Sequence, residues 1–428
     1  VQCRVVATML MVACVAGTAS ASGTRKESEA AKKQDFDRIV AAHTYKLHVV
    51  NGKLEGPGAR WLAKQGARVH HFMIGDRHAT AQIPRVAAAI YRLLAPEGYD
   101  RAALEIGPYT ARMVDRELKS GGLKGYKRWL RHASGPHGGN GGFLLTGFTD
   151  WQGEARLAAT VVRHGGKVWG LDQEFAFSLP LHLNALAKKA HTKAEHLAVR
   201  RMRKRARHEP HALARVTPEQ WAALRKPFAK AGDEDAVRRI NALAFSSRIY
   251  APYTKKGGSF FFSNVDREHR MKEVLLHDIR GYESRHKKAP RVFYQFGGFH
   301  SARQRNDFDG RVPLGAFVTQ WAIVRGEKTF HLFMDCNGGR NLTTGGNSTK
   351  PEPCADFFST STQNYQGHQG KSALLKHLDG KTLTLIDLRP LRKRFYDWDF
   401  LNDRTREMIL GFDAYLAVPN VTPAQPIQ

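Results

Sequence analysis

Short apolar runs alternate with stretches of helical spacing along most of the chain, and the segment His70–Pro84 sets the pattern. Phe72 to Ile74 is an apolar run that reaches Gly75 and then presents Asp76 and His78 two positions apart. Pro84 stands where a first helical turn tolerates it, and Val86, Ile90, Leu93 and Leu94 follow at helical spacing. The segment reads as a buried strand, a tight turn and a helix. Three later strands end in the same way. Ala102 to Leu104 runs into Glu105, Val168 to Leu171 into Asp172, and Arg291 to Phe296 into Gly297-Gly298-Phe299-His300. Further strands are expected at Val318 to Val324, Phe330 to Met334, Leu383 to Leu388 and Ala414 to Val418. Helical spacing marks Ala59 to Gly66, Tyr109 to Leu118, Asp150 to Val162, Asp233 to Phe245 and Val265 to Arg280. Lys46 to Val50 and Lys53-Leu54 flank Asn51-Gly52, a type I′ hairpin signal. The alternation predicts an α/β fold with a mostly parallel central sheet flanked by helices.

Domain organisation follows from where this pattern breaks. Arg4 precedes an apolar run from Val5 to Ala16, and Ala19-Ser20-Ala21 fits a small-x-small cleavage site. Residues 1–21 therefore read as a secretory signal peptide, since the run is too short to cross a bilayer. A lipoprotein signal through Met11-Val12-Ala13-Cys14 is the weaker alternative, because the apolar segment continues past Cys14. The mature chain is expected to be secreted or periplasmic. Residues 22–44 read as a flexible polar N-terminus, residues 45–186 and 246–420 as one α/β domain, and residues 421–428 as a tail. Gly135 to Gly142 and Lys255 to Phe262 read as loops, the first a possible lid. No strand leads into that first loop and no Lys-Ser/Thr follows it, which argues against a phosphate cradle.

Residues 187–245 read as an inserted basic helical hairpin or bundle. Ala187 to Lys230 holds 13 Lys and Arg against three Glu. The whole chain has 67 Lys and Arg against 39 Asp and Glu, so its field attracts anions. A solvated face is one reading of the insertion; peripheral contact with a membrane or anionic envelope polymer is the other. Nucleic acid is not expected as a partner, because only Trp221 and Phe228 interleave with the charges and the chain reads as exported. Once the signal is removed Cys336 and Cys354 remain, and in an oxidising compartment they are expected to pair.

The four predicted strand ends would bring Asp76, His78, Glu105, Asp172 and His300 to one edge of the sheet, where open α/β sheets bind ligands. Carboxylates and imidazoles converging there suit general acid–base work on a small-molecule or anionic substrate. His78 would activate water, with Asp76 or Glu105 fixing its tautomer. There is no Gly-x-Ser-x-Gly elbow, reactive cysteine or zincin helix to supply another nucleophile. No cofactor is needed for this reading, although the same side chains would also suit a divalent metal. Each alone is equally compatible with a cap or turn, and Asp172 is the one most expected to be structural, bridging to a helix N-terminus.

Gly75-Asp76-Arg77-His78, Ala103-Leu104-Glu105, Gly170-Leu171-Asp172, Arg267-Glu268-His269-Arg270-Met271 and Gly297-Gly298-Phe299-His300 occur in an order that resembles the erythromycin esterase-like superfamily. That grouping includes the heme-binding ChaN-like lipoproteins and TraB/Tiki-type proteins. Phe412 to Pro419 looks like the last strand of the esterases. The resemblance implies an exported hydrolase of an ester or lactone-like bond, with His78, Asp76, Glu105, Arg267 and His300 as catalytic residues. Asp172, Tyr109 and Arg77 would contact substrate. The first motif is Gly-Asp-x-His rather than the esterases' Gly-Glu-x-x-His, closer to the Gly-Glu-x-His of the ChaN-like branch. The esterases' His-Asn-x-His becomes Gly297-Gly298-Phe299-His300, and an asparagine expected after Met271 is Val274. The ChaN-like branch implies the alternative of a heme-binding protein, with the site histidines and Tyr109 as candidate axial ligands.

Overall fold

The computed structural model describes residues 28–134, 145–206, 211–254, 261–305, 310–342, 351–354 and 373–427. The expected signal peptide, the loop Gly135–Gly142 and most of the loop Lys255–Phe262 lie outside the described residues. The strands are β1 (Thr44–Val50), β2 (Lys53–Glu55), β3 (His71–Asp76), β4 (Tyr99–Leu104), β5 (Lys167–Gly170), β6 (Arg291–Gly297), β7 (Thr329–Leu342), β8 (Pro351–Pro353), β9 (Leu383–Asp387) and β10 (Ala414–Val421). They form one ten-stranded sheet in the order β2-β1-β9-β10-β7-β3-β6-β4-β5, with β8 pairing β7 outside that path. β10, β7, β3, β6, β4 and β5 run parallel to their neighbours in that order. β9, β1 and β2 complete one edge by antiparallel pairing.

β3 lies between β7 and β6, and all six of its residues are buried. Phe72 and Ile74 point into a core shared with the helices Ile83–Leu94 and Gln152–Arg163, while Met73 points into the core under the helices Phe261–His286 and Leu314–Val324. A strand covered on both faces has no polar side to alternate with, hence its continuous apolar run. The expected hairpin is present, with Asn51 and Gly52 both at positive φ.

Three expectations are corrected. Val318 to Val324 is not a strand but part of the helix Leu314–Val324. Its β-branched residues suggest extended backbone, yet Leu314, Val318, Thr319 and Ala322 form one buried stripe, leaving Ile323 and Val324 both exposed. The N-terminus is not flexible over residues 29–42: Ser28 caps the helix Glu29–Ala42, and Phe36 and Val40, one turn apart, are buried. Phe36 packs edge-on against Trp398 at 5.0 Å. The tail is packed too. Ala81 N donates to Thr422 O at 2.8 Å and Ile427 N to Asp150 O at 2.7 Å, and Ala424 and Ile427 are buried.

Between β5 and β6 the chain makes the helices Leu179–Lys189, Lys193–Ala206, Ala212–Arg215, Pro218–Lys230 and Glu234–Tyr250. They bury a core of their own, centred on Leu183, Met202, Trp221, Leu224, Phe228 and Leu243. Thr217 and Gln220 form a reciprocal capping box at the start of Pro218–Lys230. Among the described residues no helix is long and apolar enough to cross a membrane.

Candidate active site

The parallel run β3-β6-β4-β5 places the carboxyl ends of four adjacent strands on one edge, and the side chains just beyond them converge. β3 ends at Asp76; the chain turns through Arg77 and His78 and passes Ala79 at φ 65°. A left-handed alanine costs roughly 1–2 kcal/mol. It is held by Leu342 N and Ala424 N, both donating to Ala79 O. This turn folds the His78 ring back over the strand ends.

His78 Nδ1 lies 2.8 Å from Asp76 Oδ1, and its Nε2 lies 3.2 Å from Glu105 Oε2. Gln295 Nε2, from the adjacent β6, donates to Asp76 Oδ2. The ring of Phe148 stacks on the imidazole at 4.1 Å between centroids. Burial opposes a charge on His78, but Asp76 and Glu105 outweigh it and hold the imidazole well above its usual value.

Glu105 joins the halves of the site. It accepts Gly297 N at 2.6 Å and Arg267 Nη2 at 2.7 Å. His300 Nε2 lies 3.7 Å from its Oε1. Burial works against its ionisation, yet His78, His300 and Arg267 together hold its carboxyl well below the usual range. Gly297 permits this approach: a Cβ there would lie 2.8 Å from His78 Nε2.

The helix Phe261–His286 supplies two consecutive side chains that diverge around its axis. Arg267 Nε donates to Asp172 Oδ1 at 2.8 Å, while its Nη2 bridges Asp172 and Glu105. On the next residue, Glu268 Oε1 accepts His300 Nδ1–H at 2.6 Å and Oε2 accepts Leu314 N at 2.9 Å. Side-chain exposure is 17% for His78 and Arg267 and 8% for His300, so the cluster is enclosed but within reach of solvent.

The structure thus brings Asp76, His78, Glu105, Arg267, Asp172 and His300 together. Two of the expected substrate contacts are placed elsewhere. The Tyr109 ring is buried between the guanidinium groups of Arg112 and Arg239, at 4.8 and 4.7 Å, facing the inserted helices. Arg77 is turned onto β7, its Nε donating to Asp335 Oδ1 at 2.6 Å. Asp172 holds Arg267, and the expected bridge to a helix N-terminus is made two residues later. Glu174 accepts Tyr109 N and Thr110 N at the start of the helix Pro108–Ser134, an anion where the backbone N–H groups are free.

Sequence reasoning assigned no site role to Glu268, Gln295, Phe148 or Glu154. Glu154 sits at the start of Gln152–Arg163 and is buried beside Asp76 and His78; its Oε2 has no hydrogen-bond partner among the described residues. Burial pushes its carboxyl up to about 8. The missed signal for both glutamates is a carboxylate inside an apolar helical stripe: Glu268 with Met271 and Leu275, Glu154 with Ala158 and Val161.

A divalent metal fits this donor set poorly. The histidines and carboxylates are engaged with one another and with Arg267, and among the described residues no group of three or more His, Cys, Asp or Glu is arranged to hold a metal ion. The enclosed Tyr109 is not positioned as an axial ligand. Away from the site, Cys336 and Cys354 are joined as a disulfide.

No family profile and no curated protein matches the sequence. Solved structures do match over nearly the full length. A Bacillus cereus protein shares 12% identity at TM-score 0.60, covering 92% of this chain and 99% of that one. A succinoglycan biosynthesis protein shares 11% at TM-score 0.60 over the same shares. A mutant of the erythromycin esterase EreC, in its open conformation, shares 12% at TM-score 0.57, covering 90% of this chain and 99% of that one. The chain has the fold of these proteins, an erythromycin esterase among them.

Proposed function

We propose that this protein is an exported hydrolase that cleaves an ester or lactone-like bond by direct attack of water. The observation that carries the reading is the pairing of two unlike histidines across Glu105. One, His78, has carboxylates within hydrogen-bond reach of both nitrogens; the other, His300, is oriented by Glu268 through Nδ1, while its Nε2 faces Glu105 at 3.7 Å, beyond that reach. An erythromycin esterase of the same fold supports the reaction class. The disulfide supports an oxidising compartment.

Roles follow from the geometry. Asp76 and Glu105 favour the protonated form of His78, so the base role expected of it is assigned to His300. Water attacks the acyl carbon and its proton goes to His300 Nε2, while Glu268 steadies the resulting imidazolium. The His78 and Arg267 cations stabilise the charge that develops on the acyl oxygen in this enclosed site. When the tetrahedral intermediate collapses, the departing alkoxide takes the proton back from His300, leaving acid and alcohol. Asp172 and Asp76 keep the two cations in place. The test is turnover of a panel of aryl esters and lactones by the wild-type protein and by His300→Ala. Turnover that depends on His300 supports the reading; turnover by neither protein, or equally by both, removes it.

A further inference from the structure

The inserted helices carry a groove that hydrolysis at the strand ends does not use. Lys193–Ala206 and Pro218–Lys230 lie side by side over the insertion's core, and a groove of about 530 Å³ stays open between them. That volume falls within the roughly 300–1,000 Å³ of small-molecule pockets. Its floor is apolar, built from Leu197, Ala198, Met202, Leu224 and Pro227. Leu197 remains 37% exposed, although it sits among residues that could have covered it.

Its rim is of one sign. Arg201 and Arg205 stand on one helix, Lys226 and Lys230 on the other, and no carboxylate lines the groove. Among the described residues none of the four is in an ion pair, whereas neighbouring cations such as Lys189 and Arg238 are. Four unpaired cations around an apolar trough repel one another and attract an anion. A polyanion would satisfy the rim and leave Leu197 wet. A neutral apolar molecule would fill the floor and leave the cations unanswered. Only a ligand with both parts answers both.

We propose that this groove binds a single-chain amphiphilic anion, a long-chain fatty carboxylate taken as a monomer from solution. Its hydrocarbon chain lies along Leu197, Met202 and Leu224, and its head group pairs with the basic rim. The Lys and Arg stems extend the apolar wall while their charged ends stay in water.

The experiment is calorimetric titration of the full-length protein with laurate below its micellar concentration. Lauryl alcohol and phosphatidylcholine vesicles containing phosphatidylglycerol are titrated in parallel. The expected result is saturable binding of one laurate per chain. It is weakened about tenfold or more by Leu197→Asp, the loss that follows from leaving one leucine-sized apolar contact unmade. Arg201→Glu combined with Lys226→Glu weakens it by at least as much, and the alcohol binds correspondingly less well. These side chains are exposed, so thermal unfolding matching the wild type shows that the variants are folded. Absence of saturable laurate binding, binding untouched by both variants, or binding to vesicles alone overturns the proposal.

Discussion

Glu268 Oε1 lies 2.6 Å from His300 Nδ1, and the same carboxylate accepts Leu314 N through its other oxygen at 2.9 Å. The backbone of one helix start fixes the carboxylate, and the carboxylate fixes the ring. Glu268→Gln keeps the size of the side chain but can offer Nδ1 a donor, which puts the imidazole in the tautomer whose Nε2 carries hydrogen. The expected outcome is a loss of about 10²–10⁴ in kcat, the range for a positioned general base, with KM little changed. Steady-state kinetics on any ester the wild type turns over checks it.

Gly297 is needed for its lack of a side chain, not for its backbone, which sits at φ −56°. A Cβ there would lie 2.8 Å from His78 Nε2 and 3.5 Å from Glu105 Oε2. Gly297→Ala is therefore expected to push the imidazole off Glu105 and to lower kcat/KM on the order of 10²-fold, as a misplacement of about 1 Å does. Wild-type turnover with a bulky alanine in place would show that this contact is not needed.

The charge on His78 is directly measurable. Burial disfavours it, Asp76 and Glu105 favour it, and the carboxylates prevail. A histidine raised in the folded state contributes stability that is present below its unfolded value near 6.5 and lost as pH rises through the folded one. Glu105, held below its usual range, contributes stability above 4.5 that is lost as pH falls through its own folded value. Nitrogen NMR of the imidazole at pH 7 is expected to show both ring nitrogens of His78 protonated. A neutral tautomer would return the base role to His78.

Much of this arrangement was legible in the sequence, and the limits are physical. The apolar run Phe72–Ile74 declares a strand buried on both faces, and the polar residues after it and after Leu104, Gly170 and Phe296 mark strand ends that a parallel sheet puts on one edge. Val318 to Val324 misleads because branched side chains fit either backbone, and only the pattern of burial separates the two. Glu29–Ala42 is polar enough to pass for a flexible segment, since just Phe36 and Val40 anchor it. The helix bridge expected of Asp172 falls to Glu174, because a two-residue offset after a strand decides which carboxylate meets the helix and which meets Arg267. Tyr109 could not be separated from a ligand-facing residue without the inserted arginine Arg239, which lies far away in the chain.

Glu154 predicts a pH dependence of stability. Its carboxyl is raised to about 8 by burial, so between its ordinary value of 4.5 and about 8 the folded chain holds a proton that the unfolded chain releases. Stability from this group is full below 4.5 and declines as pH rises through 8. Glu154→Gln removes the dependence. Its melting temperature is expected to exceed that of the wild type by about 1 °C or more at pH 8, a shift typical of ~1 kcal/mol in a chain of this size, and by less at pH 5. A difference that grows toward low pH would reverse the assignment.

The central claim is that water is activated at His300 beside a cationic His78, and hydrolysis by wild-type protein and His300→Ala measured side by side tests it most directly. The predicted result is ester or lactone turnover by the wild type that falls at least about 10²-fold in a folded His300→Ala variant. Equal rates for the two proteins would contradict it.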